Sequence, residues 1–372
     1  MSPRFDRRAV LAGAMGTVAV SRSEFAMSVR AKAGPIQDSG AGDELEARRV
    51  DLRDRIARMI VSPVTGTSLT EAEADRLATL RPGGVILVGD NIGADDEIAP
   101  FTAAIKATVP DRPPLLFVDQ EGGTVRRIKA DQGPDEPTMG TLPVDEVAAI
   151  ASRRSDLVLR YGFDVNCAPV ADVAFTPDSF MVSRSFGNDP EAVADRVEAT
   201  VTAMTGAGVI SATKHFPGHG ATSVDSHQAL PTVEVTDAEW LAGEAIPFRR
   251  AIAAGAPIIM LGHLMYPSWP GWGDEPATFN PEAYRVLRED LGYGGVIITD
   301  DLGMGALTDW APLEVIDRAV DCGVDLLLVV VQRASVEDVL DHLVQRVIDG
   351  SLSEARIDES LNRLDRLADI PR

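Results

Sequence analysis

Residues 209–220 carry the sequence VISATKHFPGHG, in which an uncharged run passes directly into basic, aromatic and small residues. The run from Val209 to Thr213 does not alternate between apolar and charged side chains, and this is typical of a parallel strand buried on both faces. The proline and glycines at 217–220 indicate that the chain then turns into a loop. The stretch therefore predicts a parallel sheet with polar groups at the carboxyl end of a strand.

Seven more runs of the same kind lie on either side of this one, and helical patterns separate them. The eight predicted strands are Met59–Val61, Gly84–Val88, Leu115–Val118, Asp164–Ala168, Val209–Thr213, Ile258–Leu261, Val296–Thr299 and Asp325–Val331. The clearest helices are predicted at Asp189–Thr205, Pro281–Leu291 and Val336–Asp349. Eight strands with intervening helices over about 325 residues predict the α/β class and a single (β/α)8 TIM-type barrel at 46–372.

A doubly wound open sheet is the alternative arrangement of the same elements. Such folds commonly carry a glycine-rich turn after an early strand, which binds a dinucleotide. No G-x-G-x-x-G sequence follows the first predicted strands here, so the barrel is preferred and no cofactor is expected.

The composition excludes two classes of partner. The 372 residues carry a formal net charge of −22, and only 5% of them are aromatic. A dense field of phosphates repels such a chain, so no nucleic-acid partner is expected. No apolar run reaches the roughly 18 residues that a membrane-spanning helix needs, and no stable membrane anchor is expected.

The N-terminal segment has the character of an export signal. Arg7 and Arg8 precede an apolar, Gly- and Ala-rich run to Val20, and this resembles a twin-arginine signal. The following residues, 21–42, are rich in Ala, Gly and Ser and are predicted to be a linker. Residues 1–45 are therefore expected to lie outside the barrel, and the protein to be exported to the periplasm or beyond. The alternative is a cytoplasmic protein with a disordered tail.

Polar side chains gather where the predicted strands end. In barrels of this kind the reactive groups lie at the carboxyl ends of the strands. The polar residues found there are Asp119, Glu121, Asn166, Asp172, Lys214, His215, His219, His263, Asp300 and Asp301. Two of them have structural alternatives, since Asp301 could cap the next helix and His263 could be a buried histidine with satisfied hydrogen bonds.

A metal site is not predicted from the histidines. His215 and His219 are four residues apart, with Asp225 and His227 nearby, and this spacing resembles a pair of metal ligands on a helix. The Pro-Gly pair between the two histidines prevents that helix. The two cysteines match no metal-binding spacing either, and each is predicted to be a small buried residue rather than half of a disulfide.

Five segments together resemble the motif series of glycoside hydrolase family 3, above all its bacterial β-N-acetylglucosaminidase branch. They are FVDQEGGTVRRI (117–128), NCAPVADV (166–173), SRSFGNDP (183–190), SATKHFPGHGATSVDSHQALP (211–231) and GVIITDDLGMGAL (295–307). The similarity covers roughly residues 50 to 370, and KHFPGHG followed by D-S-H is its most specific part. The resemblance implies a single barrel domain, terminal N-acetylglucosamine (GlcNAc) as the unit removed, and frequently a role in peptidoglycan turnover.

The resemblance also implies a role for each matching residue. It assigns the nucleophile to Asp300, the acid/base to His227 and the carboxylate partner of that histidine to Asp225. The sugar-binding residues that it implies are Asp119, Arg127, Arg184, Lys214 and His215.

These residue types suit retaining hydrolysis of a glycoside. The reaction needs a nucleophile beneath the anomeric carbon and a proton donor at the leaving oxygen. A carboxylate at the end of a rigid strand, such as Asp300, can be held within attack distance. Asp225 and His227 are two positions apart, so in an extended loop both side chains project to the same side and the carboxylate can fix the imidazole tautomer.

The binding residues carry both signs of charge around one sugar unit, which favours a terminal residue in a closed pocket and hence exo action. The expected partner is a carbohydrate containing GlcNAc, such as a muropeptide. Two departures from the family pattern are Thr124, where many relatives have a basic residue, and the bulky stretch HLMYPSWPGW at 263–272. Both are expected to alter the far side of the pocket.

Three functions are compatible with these residues. The first is a retaining exo-β-N-acetylhexosaminidase with Asp300, His227 and Asp225 in the roles above. The second is another reaction at the same site, either β-glucosidase activity or phosphorolysis, because a histidine repels an incoming phosphate less than a carboxylate would. The third is a non-catalytic sugar-binding protein, which would normally have lost the nucleophile or the proton donor.

Overall fold

The computed structural model describes residues 39–370, and from Leu45 onward the described chain forms one compact unit. Its centre is a sheet of eight parallel strands that lie side by side in chain order, with β8 next to β1. The strands are β1 (Ile60–Pro63), β2 (Gly84–Leu87), β3 (Leu115–Val118), β4 (Val165–Asn166), β5 (Ile210–Phe216), β6 (Ile258–Leu261), β7 (Val296–Thr299) and β8 (Leu327–Leu328). A parallel bridge between Ile298 and Leu326 joins β7 to β8 and closes the sheet. The predicted (β/α)8 barrel is confirmed.

Helices surround the sheet on its outer face, as expected where every strand is followed by a crossover. They are α1 (Ser39–Ala57), α2 (Glu71–Leu80), α3 (Asp95–Ala107), α4 (Glu136–Met139), α5 (Val144–Arg160), α6 (Pro190–Ala207), α7 (Asp237–Ala242), α8 (Ala245–Ala253), α9 (Pro281–Arg285), α10 (Pro312–Cys322), α11 (Val336–Ile348) and α12 (Glu354–Asp365). A short hairpin after β3 pairs Gln120–Gly122 with Val125–Arg126. The three helices predicted most clearly are all present, and the one beginning at Pro281 continues beyond α9 as a π-helical turn.

Every strand contributes to an apolar core inside the barrel. The buried residues of this core are Val61, Ile86, Phe117, Val165, Cys167, Ile210, Ala212, Ile258, Met260, Val296, Ile298, Leu326, Leu328 and Leu367. The barrel interior is therefore packed rather than open, as in other barrels of this type. Both cysteines are free thiols, Cys167 buried in this core and Cys322 half-buried at the end of α10, as predicted.

Three predicted strands have the observed bounds, and the other five differ at their ends by at most three residues. The prediction of Asp325–Val331 is wrong in extent, since β8 covers only Leu327–Leu328. After Leu328 the amides of Val330 and Val331 leave the sheet and donate to the carboxylate of Asp301, at 2.8 and 3.1 Å. The Asp301 side chain thus replaces the neighbouring strand as acceptor for these two amides. The pattern of apolar residues along the sequence cannot reveal this.

The predicted signal, residues 1–20, and most of the predicted linker lie outside the described residues. The helix α1 begins at Ser39, so residues 39–42 of the predicted linker are helical. Leu52 and Ile56 on α1 are fully buried, while Arg55 on the same helix bonds to Glu354 of α12 at 2.9 Å. Within residues 39–370, no helix is long and apolar enough to cross a membrane.

Candidate active site

A cavity of about 300 Å³ opens at the carboxyl ends of the strands. Its polar lining residues are Asp119, Arg127, Arg184, Lys214, His215, His227, Asp300 and Asp301. Seven of these eight were predicted as site residues, and they come from loops far apart in the sequence. Asp225 does not line the cavity but bonds to His227, so the structure brings the whole predicted set together.

The end of β5 places two consecutive residues in the cavity. The pairing of β5 with β6 shifts register between Thr213 and Phe216, so Lys214 and His215 lie in a bulge. In a regular strand, neighbouring side chains point to opposite faces. A bulge changes the aim of side chains and is common beside active sites, which explains how both residues reach the same cavity.

Charges of alternating sign form a cluster along one wall of the site. Lys214 Nζ lies 2.8 Å from Asp119 Oδ1 and 2.7 Å from Glu121 Oε1. Arg184 binds the same Glu121 through two hydrogen bonds, with Nη2–Oε1 at 2.6 Å and Nε–Oε2 at 2.9 Å. Arg127 is farther away, with its Nη2 at 3.8 Å from Asp119 Oδ2. Each buried charge has an opposite partner, which offsets its desolvation and fixes the positions of the predicted sugar-binding groups.

The cluster keeps both carboxylates ionised at neutral pH. Burial by itself would raise the pKa of Asp119, but Lys214 and Arg127 outweigh this effect and lower the pKa to about 2. Burial likewise opposes ionisation of Glu121, and Lys214 and Arg184 lower its pKa to about 2. The pKa of Lys214 is raised, because the two carboxylates outweigh its own burial.

Glu121 is a functional residue that the sequence reasoning did not assign to the site. It is 2% exposed and does not line the cavity, but it holds both Arg184 and Lys214. Its position two residues after Asp119 was a usable signal, since side chains two apart in a strand project to the same face.

Asp172 is a second unassigned residue, and it sets the state of His215. Its Oδ2 lies 2.7 Å from His215 Nδ1, and its Oδ1 accepts from the backbone amides of His215 and His219 at 3.2 and 2.7 Å. Burial, followed by the charge of Arg184, holds the pKa of His215 well below its usual value. The neutral ring therefore donates its Nδ1 proton to Asp172 and leaves Nε2 as an acceptor for a substrate hydroxyl.

Asp300 lies at the end of β7 with one carboxylate oxygen fixed. Its Oδ1 accepts from the amide of Asp301 at 2.8 Å, and its own amide donates to Leu261 O at 2.9 Å. Burial opposes ionisation of Asp300, but its pKa is lowered, and the Asp301 amide and the charge of Lys214 stabilise the carboxylate. Asp300 is thus an ionised, half-buried carboxylate facing the cavity, which is what a nucleophile requires.

Asp301 has a structural role, although it is not the helix cap suggested by its position. Its carboxylate accepts from the amides of Gly303, Val330 and Val331 at 3.1, 2.8 and 3.1 Å. No helix begins within these segments of the described chain. Asp301 instead holds the loops after β7 and β8 together.

His263 is a buried histidine with satisfied hydrogen bonds, and the alternative that it belongs to the cavity is wrong. Its Nε2 lies 2.9 Å from Asp301 O, a group that can only accept, so Nε2 carries the proton. Its Nδ1 then accepts from the Thr278 hydroxyl at 2.5 Å. Burial lowers the pKa of His263, in keeping with a neutral ring.

Asp225 and His227 form the predicted pair, but in a different backbone geometry. His227 Nδ1 lies 2.7 Å from Asp225 Oδ1, and the same oxygen accepts from the His227 amide at 2.9 Å. The amides of Gln228 and Ala229 both donate to Asp225 O, at 2.9 and 3.1 Å. The pair therefore lies on a tight turn, and the prediction of an extended loop is wrong. A turn closed by the Asp225 side chain fixes the ring more firmly than an extended loop would.

The turn lies over the cavity because it packs on the segment after β7. The amides of Gly305 and Ala306 donate to His227 O and Ser226 O, both at 3.1 Å. The half-buried Phe180 ring lies 6.4 Å from the His227 ring. The side chain of His227 is 60% exposed, so it faces the mouth of the cavity, where a leaving group would depart.

The two departures from the family pattern do not border the cavity. Thr124 is exposed at the turn of the hairpin, whereas its neighbours Val125 and Arg127 line the cavity. In the stretch 263–272, Tyr266, Trp269 and Trp272 are buried, with ring centroids 5.0–5.5 Å apart. The expectation that these departures shape the far side of the pocket is wrong, since the bulky stretch packs into its own aromatic cluster.

Among residues 39–370, no group of three or more His, Cys, Asp or Glu side chains is arranged to hold a metal ion. The side chains that suggested one have other partners, since His215 bonds to Asp172 and His219 Nε2 lies 3.1 Å from Ser226 Oγ.

Comparison with known proteins identifies the architecture of this site. The model of the glycosyl hydrolase family 3 N-terminal domain matches residues 51–367. The chain belongs to glycosyl hydrolase family 3. It is therefore a glycoside hydrolase, and the resemblance seen in the five sequence segments is confirmed.

The relatives of this family 3 member include named β-hexosaminidases. LpqI of Mycobacterium tuberculosis, a β-hexosaminidase, is 33% identical over 327 residues, covering 84% of this chain and 81% of the relative. A family 3 β-N-acetylglucosaminidase from Paenibacillus sp. str. FPU-7 has a similar structure, with a TM-score of 0.81 at 31% identity, covering 85% of this chain and 62% of that one. NagZ from Neisseria gonorrhoeae, solved in complex with N-trifluoroacetyl-D-glucosamine, gives a TM-score of 0.68 at 29% identity, covering 77% and 84%.

Proposed function

We propose that this family 3 enzyme is a retaining exo-β-N-acetylhexosaminidase that removes terminal β-linked GlcNAc. One observation carries the proposal: an ionised, half-buried carboxylate, Asp300, and an exposed histidine, His227, line the same small cavity as a cluster of side chains of both charge signs. The names of the related proteins support the choice of sugar.

The proposed reaction has two steps. In the first, an Asp300 oxygen bonds to the anomeric carbon while the glycosidic C–O bond breaks, and His227 gives its proton to the leaving oxygen. In the second, His227 takes a proton from water, the water oxygen bonds to the anomeric carbon, and Asp300 is released. Asp225 accepts from Nδ1, which directs Nε2 to the reacting oxygen in both steps.

Exo action follows from the size and charge of the cavity. Ligand pockets in proteins span about 300–1,000 Å³, so a cavity of about 300 Å³ is at the small end of that range and suits one sugar unit. Asp119 can accept from two hydroxyls, and Arg184 and Lys214 donate with charge assistance. These groups favour a sugar ring that ends the chain.

The decisive experiment uses purified enzyme with the p-nitrophenyl β-glycosides of GlcNAc, glucose and GalNAc, each with and without phosphate. We expect the highest kcat/KM for the GlcNAc substrate, no dependence on phosphate, and a first product of β configuration by NMR. Formation of sugar 1-phosphate would identify a phosphorylase instead. A preference for glucose would identify a β-glucosidase, and binding without turnover a non-catalytic sugar-binding protein.

We further propose that the natural substrate is a GlcNAc-terminated fragment of peptidoglycan. The resemblance in sequence supports this, as does the predicted export signal, which would place the enzyme where such fragments are released. Release of GlcNAc from a GlcNAc–MurNAc peptide should be faster than from chitobiose at equal concentration. Equal or slower release would contradict the proposal.

Export by the twin-arginine route is a separate proposal, supported by Arg7, Arg8 and the apolar run that follows. Changing Arg7→Lys together with Arg8→Lys should retain the protein in the cytoplasm, as measured by cell fractionation. Unchanged export of this double variant would contradict the proposal.

Deletion of residues 1–38 is expected to leave the melting temperature and kcat/KM unchanged, because the cut precedes α1. The control deletes residues 1–57 and so removes α1, including Leu52 and Ile56, which are fully buried. That control should unfold at a markedly lower temperature or fail to fold, since each buried aliphatic side chain contributes roughly 1.5–3 kcal/mol. A large loss of stability in the shorter deletion would show that the first 38 residues belong to the fold.

A further inference from the structure

The loop that carries Asp225 and His227 is held at its first turn by three buried side chains. Trp240 Nε1 donates to Pro217 O at 2.7 Å. The Tyr266 hydroxyl lies 2.5 Å from Gly218 O, and Glu244 Oε1 accepts from the Gly220 amide at 3.0 Å. Glu244, Tyr266 and Trp240 are at most 2% exposed, so the groups that fix this turn are shielded from water.

The hydrogen bonds around Tyr266 require a proton on Glu244. The Tyr266 oxygen is 2.5 Å from Gly218 O and 2.7 Å from Glu244 Oε2, yet a tyrosine hydroxyl has one proton. Gly218 O can only accept, so the tyrosine proton belongs to that contact. The contact with Glu244 then needs a proton from the carboxyl group. The three contacts are Tyr266 with Gly218 O, Tyr266 with Glu244, and Glu244 with the Gly220 amide. All of them are satisfied only if Glu244 is a neutral acid, with Oε2 donating to Tyr266 and Oε1 accepting from Gly220.

The surroundings of Glu244 favour this neutral form. Burial raises the pKa of Glu244 to about 8, although the Tyr266 hydrogen bond opposes the rise. The charge of Asp172 raises the pKa further, whereas the amides of Gly220 and Ala221 lower it. The titratable groups that face Glu244 are therefore Tyr266, itself with a raised pKa, and Asp172. Among the described residues, the Glu244 carboxyl group has the Tyr266 hydroxyl and the Gly220 amide as hydrogen-bond partners.

The turn has no room to shift sideways. A Cβ built on Gly218 would lie 2.3 Å from Glu244 Oε2, and one built on Gly220 would lie 1.8 Å from Val173 O. Gly218 also has a φ of +139°, in the range that favours glycine. The backbone thus rests directly on Glu244 on one side and on the loop after β4 on the other.

A short path joins this turn to the catalytic pair. His219, between the two anchored glycines, donates its amide to Asp172 at 2.7 Å. Its Nε2 lies 3.1 Å from the hydroxyl of Ser226, the residue between Asp225 and His227. A shift of the anchored turn is therefore transmitted to the backbone that carries the acid/base.

We propose that neutral Glu244 and Tyr266 are positioning residues that hold His227 over the cavity, and that loss of the Glu244 proton loosens the loop. An ionised Glu244 would accept the hydrogen bond of the Tyr266 hydroxyl, so that the hydroxyl would no longer donate to Gly218 O and two acceptors would face each other. The role rests on the proposed function only in naming His227 as the acid/base. Loosening of the loop is independent of that assignment and can be measured without substrate.

The first test measures amide hydrogen exchange in peptides from 217–231 at pH 7 and pH 9, corrected for intrinsic exchange. An unsatisfied buried group costs about 1–3 kcal/mol, so protection in the wild type should fall roughly tenfold across pH 8. Glu244→Gln should show no such fall, because the amide donates to Tyr266 and its oxygen accepts from Gly220 without titrating. Equal pH responses in the two proteins would overturn the proposal.

The second test uses Tyr266→Phe, which removes the donor to Gly218 O together with the oxygen that accepts from Glu244. We expect kcat/KM to fall at least roughly tenfold for an alkyl β-GlcNAc glycoside but no more than two- to threefold for an activated aryl glycoside, which scarcely needs protonation. The control is Tyr293→Phe, another buried tyrosine that bonds to a backbone carbonyl, Pro257 O, at 2.9 Å, at the opposite end of the strands. Tyr293→Phe should change kcat/KM for the alkyl and the aryl glycoside by the same factor.

Equal losses on both substrates for Tyr266→Phe would show a merely structural role and overturn the proposal. Failure of the proposed function is distinguishable, because replacement of His227 would then also show no dependence on the leaving group. In that case the assignment of His227 as the acid is overturned, and the proposed positioning role of Glu244 and Tyr266 is overturned with it.

Discussion

Replacing Asp300 with alanine is expected to lower kcat/KM for p-nitrophenyl β-GlcNAc at least about 10⁴-fold, because no glycosyl-enzyme can then form. The structure shows why this carboxylate is suited to attack. It is half-buried at the end of a rigid strand, one oxygen is fixed by the Asp301 amide, and its pKa is lowered although desolvation opposes ionisation. The measurement is steady-state kinetics on folded protein with a melting temperature near that of the wild type.

Asp301→Asn is the matched control for this experiment. The amide oxygen can still accept from the loops after β7 and β8, so most of the activity should remain. A dead Asp301→Asn enzyme beside an active Asp300→Ala enzyme would mean that the wrong member of the pair has been assigned.

Azide supplies a stereochemical check of the same assignment. In Asp300→Ala the space left by the carboxylate admits azide, which attacks the anomeric carbon from the nucleophile's side and displaces the leaving group. The product is then the α-glycosyl azide, of inverted configuration. Exclusive formation of the β-azide would show that another residue still forms the covalent intermediate.

The second large effect concerns His227. His227→Ala should lower kcat/KM for alkyl or disaccharide substrates roughly 10²- to 10⁴-fold, the usual contribution of a general acid, but far less for activated aryl glycosides. kcat/KM is the proper quantity, because it reports the step in which the leaving group departs. Asp225→Asn should give a similar but milder pattern, since the asparagine no longer enforces the Nδ1–H tautomer.

The chain offers a matched control for His227→Ala. His342 Nε2 also lies 2.7 Å from a carboxylate, Asp317 Oδ1, but the pair connects α11 with α10 and does not line the cavity. His342→Ala should leave the two kinds of substrate equally affected. If His227→Ala does the same, His227 is not the acid.

The sequence predicts the strands well wherever the neighbouring strand supplies all hydrogen-bond partners. Leu115–Val118, Ile258–Leu261 and Val296–Thr299 have the predicted bounds because their residues are buried and paired on both sides. β8 is shorter than predicted because Asp301, almost thirty residues earlier, takes over as acceptor. An apolar pattern carries no information about such a distant side chain.

The residues of the candidate site also fall into two groups, according to whether the sequence could assign their role. Residues that touch the cavity could be named from strand ends and from the family resemblance. Residues that act through others, namely Glu121, Asp172 and Glu244, received no role from the sequence, although the first two were noted at strand ends, because each draws its role from partners at least 22 positions away in sequence. The bulky stretch 263–272 was noticed as unusual, but its place beneath the loop at Pro217–Gly220 depends on packing that only the fold supplies.

Closure of the barrel between β8 and β1 has a consequence for synthesis. The amide of Leu327 donates to Met59 O at 2.8 Å, and that of Val329 donates to Val61 O at 3.1 Å. A nascent chain that ends before these residues leaves one edge of β1 unpaired, and an open edge of this kind favours association between chains. The sheet can therefore close only after these residues have been synthesised, and fragments that stop at α10 should aggregate rather than fold.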